Sequence, residues 1–82
     1  MIYMKIKEAV KDINKMVEKL EELEAVSWTK LQKDLLNEVI NSGIKLSNIL
    51  CNKWDSEMGK VEYSFVQAWC NLNTKTLELL KV

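Results

Sequence analysis

Apolar residues recur along the first third of the chain in two interleaved seven-residue series. Ile6, Ile13 and Leu20 form one series and Ile2, Ala9, Met16 and Leu23 the other, with Val10 and Val17 widening the stripe. That pattern is the core-facing stripe of an amphipathic helix. It predicts a first helix over 3–25, roughly 33 Å long at about 1.5 Å per residue.

The phase then breaks. Continuing the repeat would bring Ser27 and Lys30 into the core, whereas a new stripe opens at Trp28 and runs through Leu31, Leu35 and Val39. Ser27 offers the hydroxyl of a helix N-cap, and Val26 and Leu31 occupy the flanking apolar positions of a staple. Glu21, Glu22 and Glu24 argue the other way, because anions are disfavoured at a helix C-terminus. One helix from residue 3 to residue 41 is the alternative.

Asn41-Ser42-Gly43 is the sharpest interruption of the pattern. Glycine adopts the left-handed conformation that closes many helices, and Val39 and Ile44 suit the apolar pair around such a cap. The second helix is expected over 28–42. Apolar residues return at Leu46, Ile49, Leu50, Trp54 and Met58, and continue as Val61, Phe65, Ala68, Trp69, Leu72 and Leu79. This stretch reads as helices 45–55 and 58–81, or as one continuous helix. The break is favoured because Gly59 would cost about 1 kcal/mol inside a helix. The expected fold class is all-α, a small bundle of three to four amphipathic helices in a single helical domain, 1–82.

The last of these helices carries two apolar stripes. One is Met58, Val61, Phe65, Ala68, Leu72 and Leu79; the other is Tyr63, Val66, Cys70, Leu77 and Leu80, interrupted by Asn73. No charged residue stands between Glu62 and Lys75. A helix apolar around most of its circumference is buried around most of it, in a monomer core or at a subunit interface. An 82-residue chain gains from a partner subunit, because small domains bury little of their own surface. The sequence therefore points to a homo-oligomer whose interface is Tyr63, Val66, Trp69, Cys70, Leu77 and Leu80. Asn73 then sits as a buried polar residue that sets register.

Composition narrows the chemistry. The chain has no proline, no histidine and two glycines, and its net charge is zero with all twelve basic residues lysine. Without histidine there is no imidazole acid, base or metal ligand. Without arginine there is no bidentate fork for phosphate or guanine. Lysine, asparagine and isoleucine abound beside absent arginine, which points to an AT-rich coding sequence of the kind found in phages, viruses and low-GC bacteria; a GC-rich native gene would contradict this. Cys51 and Cys70 fit no zinc spacing and read as reduced thiols. MIYMKIKEAV carries no secretory h-region, and no run is long enough for a membrane span, so a cytoplasmic setting is the expectation.

Four lysines, Lys7, Lys11, Lys15 and Lys19, stand four apart and form one ridge on the first helix. Such a ridge could follow phosphates, but Glu8, Asp12 and Glu18 dilute it, which argues against nucleic acid. Glu21, Glu22 and Glu24 are too few oxygen ligands for a cation site. Trp28 and Trp54 are candidate exposed contacts, since tryptophan anchors interfaces. Two isolated glycines allow no phosphate loop, and no serine lies in a nucleophile elbow. The sequence thus predicts no enzyme, no metal and no cofactor. It predicts a small helical protein-interaction module that associates with itself and regulates or inhibits another protein by binding it. An oligomer that sequesters a small ligand such as a nucleotide is the first alternative; a nucleic-acid binder using the lysine ridge is the second.

Overall fold

The computed structural model describes residues 5–23 and 28–80. They form three helices: α1, Ile6–Glu21; α2, Lys30–Cys51; and α3, Lys60–Leu80. The chain is all-helical, with no strand among the described residues. Residue pairs in contact fix the directions. Asn14 meets Ser47 and Val17 meets Gly43, so α1 and α2 run antiparallel. Trp69 meets both Gly43 and Val39, and Ile49 shares a groove with Val61, so α2 and α3 also run antiparallel. The described chain is elongated, 43 × 17 × 15 Å.

The core follows the sequence pattern of α1 closely. Ile6, Ala9, Val10, Ile13, Val17 and Leu20 are buried, each larger side chain contributing about 1.5–3 kcal/mol on leaving water. They meet Leu36, Val39 and Leu50 of α2 and Val66, Trp69 and Leu80 of α3 in one cluster. The helix starts have explicit caps. At α1, the Glu8 carboxylate accepts the Lys5 N–H at 2.9 Å, and the Ile6 N–H donates to the Ser56 carbonyl at 3.0 Å. That second bond ties the segment between α2 and α3 to the start of α1. At α2, Thr29 and Gln32 form a reciprocal capping box: the Gln32 N–H reaches Thr29 Oγ1 at 3.2 Å, and the Thr29 N–H reaches Gln32 Oε1 at 2.8 Å. Each arrangement satisfies amides that a helix start leaves unpaired.

Three expectations change. First, α1 closes at Glu21 rather than 25, with Glu22 and Leu23 bonded back to Glu18 and Leu20 in the closing turn. The acidic residues do not carry the helix onward, because solvated charges at a C-terminus cost only about 0.3–1 kcal/mol. Second, α2 begins after Thr29, not at Ser27. Ser27 and Val26 lie outside the described residues, and the Thr-x-x-Gln box supplies the start signal that a lone serine was expected to give.

Third, α2 does not end at Ser42. It runs through Gly43 to Cys51, so the expected helices 28–42 and 45–55 are one. The physical reason is the Trp69 indole. A Cβ at Gly43 would lie 2.6 Å from Trp69 Cζ2 and 2.8 Å from Val17 Cγ2. Glycine is there to let α3 and α1 approach α2, not to turn the chain. The favoured break near Gly59 is present, and 45–81 is not one continuous helix. The segment from Asn52 to Gly59 separates α2 from α3 and buries Met58. It folds through turns in which the Lys53 N–H donates to the Leu50 carbonyl and the Ser56 N–H to the Lys53 carbonyl.

Gly43→Ala tests this packing. Alanine would gain about 1 kcal/mol of helix propensity, but overpacking of a filled core costs about 1–3 kcal/mol. Thermal unfolding should therefore show a lower Tm; an unchanged or higher Tm would mean that Trp69 does not fill the notch.

Candidate functional site

The setting of α3 about its own axis decides which residues remain free. Successive residues turn by about 100°, and Trp69 fixes where the inward direction lies. Its ring rests on Gly43 while Nε1 donates to the Val39 carbonyl at 3.0 Å. Val66, Asn73, Thr76 and Leu80 fall on the same side and are buried. Tyr63, Cys70 and Leu77 are half-buried at the edge of the core. Cys70 feels α1 directly: burial pushes its thiol pKa up, and the carboxylate of Asp12 pushes in the same direction. Leu77 shares a small cavity with Met16, Leu20 and Leu23 of α1.

The six residues expected at an interface, Tyr63, Val66, Trp69, Cys70, Leu77 and Leu80, are thus packed in or against the chain's own core. The other stripe is the free one. Val61, Phe65, Leu72 and Leu79 are between 43 % and 64 % exposed, and Ala68 is exposed with them. On α2, Leu31 and Ile49 are 69 % and 65 % exposed, with Leu35, Ser42 and Leu46 half-buried beside them. At about 100° per residue these positions lie on the flank of α2 next to the outer stripe of α3. Between the helices runs a groove with a cavity volume of about 560 Å³, its walls including Leu46, Ile49, Leu50, Val61 and Phe65. Lys45, Lys53 and Glu62 edge it, and Lys53 Nζ stands 3.4 Å from Glu62 Oε1. An exposed pair of that kind contributes about 0–1 kcal/mol.

The remaining candidates are dispersed. Trp28 is half-buried and packs against the core. Trp54 is exposed in the segment between α2 and α3, away from the outer stripe in sequence. Lys11, Lys15 and Lys19 are exposed and Lys7 is half-buried, with Glu8, Asp12 and Glu18 exposed among them. The ridge is thus a mixed-charge, solvated face. Glu21 and Glu22 are exposed and Glu24 lies outside the described residues. No group of three or more potential metal ligands occurs among the described residues. None of the helices there is long and apolar enough to cross a membrane.

Sequence reasoning missed the α2 half of this surface. Leu31, Leu35, Ser42 and Ile49 follow four- and seven-residue steps, but they span Gly43, where the helix was expected to stop. The outer stripe of α3 was visible, yet only the fit of Trp69 to Gly43 shows that it faces outward. No protein family, curated protein or solved structure matches this chain.

Asn73 is the one buried side chain with an unpaired atom among the described residues. Its Nδ2 donates to Met16 Sδ at 3.6 Å, while Oδ1 has no partner. Leaving a buried acceptor unsatisfied costs about 1–3 kcal/mol. Asn73→Leu should raise the Tm, since leucine of similar size leaves no polar atom stranded. A lower Tm would mean that the amide is bonded in solution.

Proposed function

We propose that this chain is a small helical protein-interaction module, a three-helix bundle that associates with itself and acts as a regulator or inhibitor by covering another protein's surface. The observation that carries the reading is the exposed apolar stripe of α3, Val61, Phe65, Leu72 and Leu79, together with exposed Leu31 and Ile49 on α2 and the apolar groove that joins the helices at Ile49, Val61 and Phe65. Folded monomers rarely leave contiguous apolar patches larger than a few hundred Å² uncovered, and larger ones are commonly binding surfaces. The face also shares a feature of interface cores, aromatic and aliphatic side chains at Phe65 and Leu72.

A binding role rather than a catalytic one accords with the composition, since the chain has no histidine or arginine. Cys51 and Cys70 are free thiols, in keeping with a reducing, cytoplasmic setting. The mechanism is steric. Whatever α2 and α3 cover is withdrawn from other partners, and the affinity comes from apolar area removed from water.

Light scattering on a sizing column tests this. The wild-type chain should run heavier than its 9.6 kDa monomer, with mass rising with concentration. Phe65→Glu should return it to monomer with helicity unchanged, since Phe65 is exposed in the single chain. A wild-type monomer at every concentration would contradict self-association, and an oligomer indifferent to Phe65→Glu would place its contact elsewhere.

A further inference from the structure

Self-association through one face leaves open how two copies meet. We infer that the α2–α3 face takes a second copy of the same chain in antiparallel fashion, α2 on α2 and α3 on α3, about a two-fold axis at the level of Ser42 and Cys70. The inference rests on the interaction reading and adds its geometry.

The first support is the self-complementary order of residues along α2. Leu31, Leu35, Glu38, Ser42, Lys45 and Ile49 follow the alternating four- and three-residue steps of a helix-packing seam. Leu35 and Ile49 each stand seven residues from Ser42, and Glu38 and Lys45 stand four and three residues from it. Turned end for end about Ser42, leucine of one copy meets isoleucine of the other, and each Glu38 meets a Lys45. A parallel pairing would set Glu38 against Glu38 and Lys45 against Lys45. A two-fold contact requires that the same patch complement itself, and of the two ways to set α2 on α2 the antiparallel one meets that requirement.

The second support is independent and comes from α3. Val61 and Leu79 each lie nine residues from Cys70, and Ala68 and Leu72 each lie two from it. The outer stripe is therefore matched end to end at these four positions, with small Ala68 near the middle where two helices would approach most closely. Lys75 of one copy falls opposite Phe65 of the other, where its aliphatic stem covers the ring and the ammonium can rest on the π face.

The third support joins the two. A single axis serves both helices only if their midpoints lie at one level of the molecule. They do: Gly43 and Trp69 are in contact, and because α2 and α3 are antiparallel, Ser42 and Cys70 share that level. The two stripes, Leu31 to Ile49 and Val61 to Leu79, each run about 27 Å at 1.5 Å per residue on a molecule at most 17 Å wide, an area on the order of 450 Å² per copy, which is below the roughly 800 Å² per partner of a standard interface and in the range of a weak, concentration-dependent one.

The test exchanges charges across the axis. Glu38 and Lys45 are both exposed, so their substitution leaves the single-chain fold intact, which circular dichroism verifies. Glu38→Lys and Lys45→Glu should each weaken self-association about five- to tenfold by concentration-dependent light scattering at low salt. The double variant should recover wild-type affinity to within about twofold, and salt at about 1 M should flatten the differences. A dimer that Phe65→Glu dissociates but neither charge variant weakens, or one that the double variant fails to restore, overturns the antiparallel arrangement and leaves the interaction face standing. A wild-type monomer at all concentrations overturns both.

Discussion

The Trp69 indole lying in the notch at Gly43 is the constraint on which the rest depends. It is large, buried, and its one polar atom is bonded to the Val39 carbonyl. A tryptophan held both at its ring and at its nitrogen has little freedom to slide or rotate. The same notch admits Val17 from α1, so one missing side chain on α2 sets the approach of both neighbours. Glycine within a helix costs about 1 kcal/mol against alanine. Burying an aromatic side chain of this size contributes about 1.5–3 kcal/mol, which explains why the helix continues where local propensity alone would stop it.

Fixing Trp69 fixes everything else on α3. Val66, Thr76 and Leu80 turn inward with it, Cys70 and Leu77 turn toward α1, and Val61, Phe65, Leu72 and Leu79 are left outside. α1 and the segment tied to it by the Ser56 carbonyl complete one side of the core. The opposite flank of α2 and α3 has no covering helix among the described residues. The exposed face is thus a direct consequence of three helices sharing one core where a fourth would close it. Under the proposed function, a second copy or another protein's helix would supply what the three helices lack.

The helical class and the whole buried stripe of α1 were legible in the sequence, because a seven-residue repeat without proline has few other readings. The separation near Gly59 was legible as well. What local pattern misread was Gly43, since a glycine that ends a helix and one that admits a neighbouring ring look alike until the neighbour is known. That misreading hid the seam from Leu31 to Ile49. On α3 both stripes were visible but their roles were not, because two apolar faces on one helix have no internal label for core and surface. The phase was decided by a contact between residues 26 positions apart, Gly43 and Trp69, and no local window spans that distance.

In the proposed arrangement, α3 shows its Trp69 face to its own chain and its Phe65 face to a partner. Hydroxyl-radical footprinting of the two rings, in dilute and in concentrated protein, distinguishes the two faces. Trp69 should be protected at every concentration, while Phe65 should be reactive when dilute and protected when concentrated. If instead Trp69 is reactive in dilute protein and becomes protected on association, the two faces are exchanged and Trp69 belongs to the subunit interface rather than to the core.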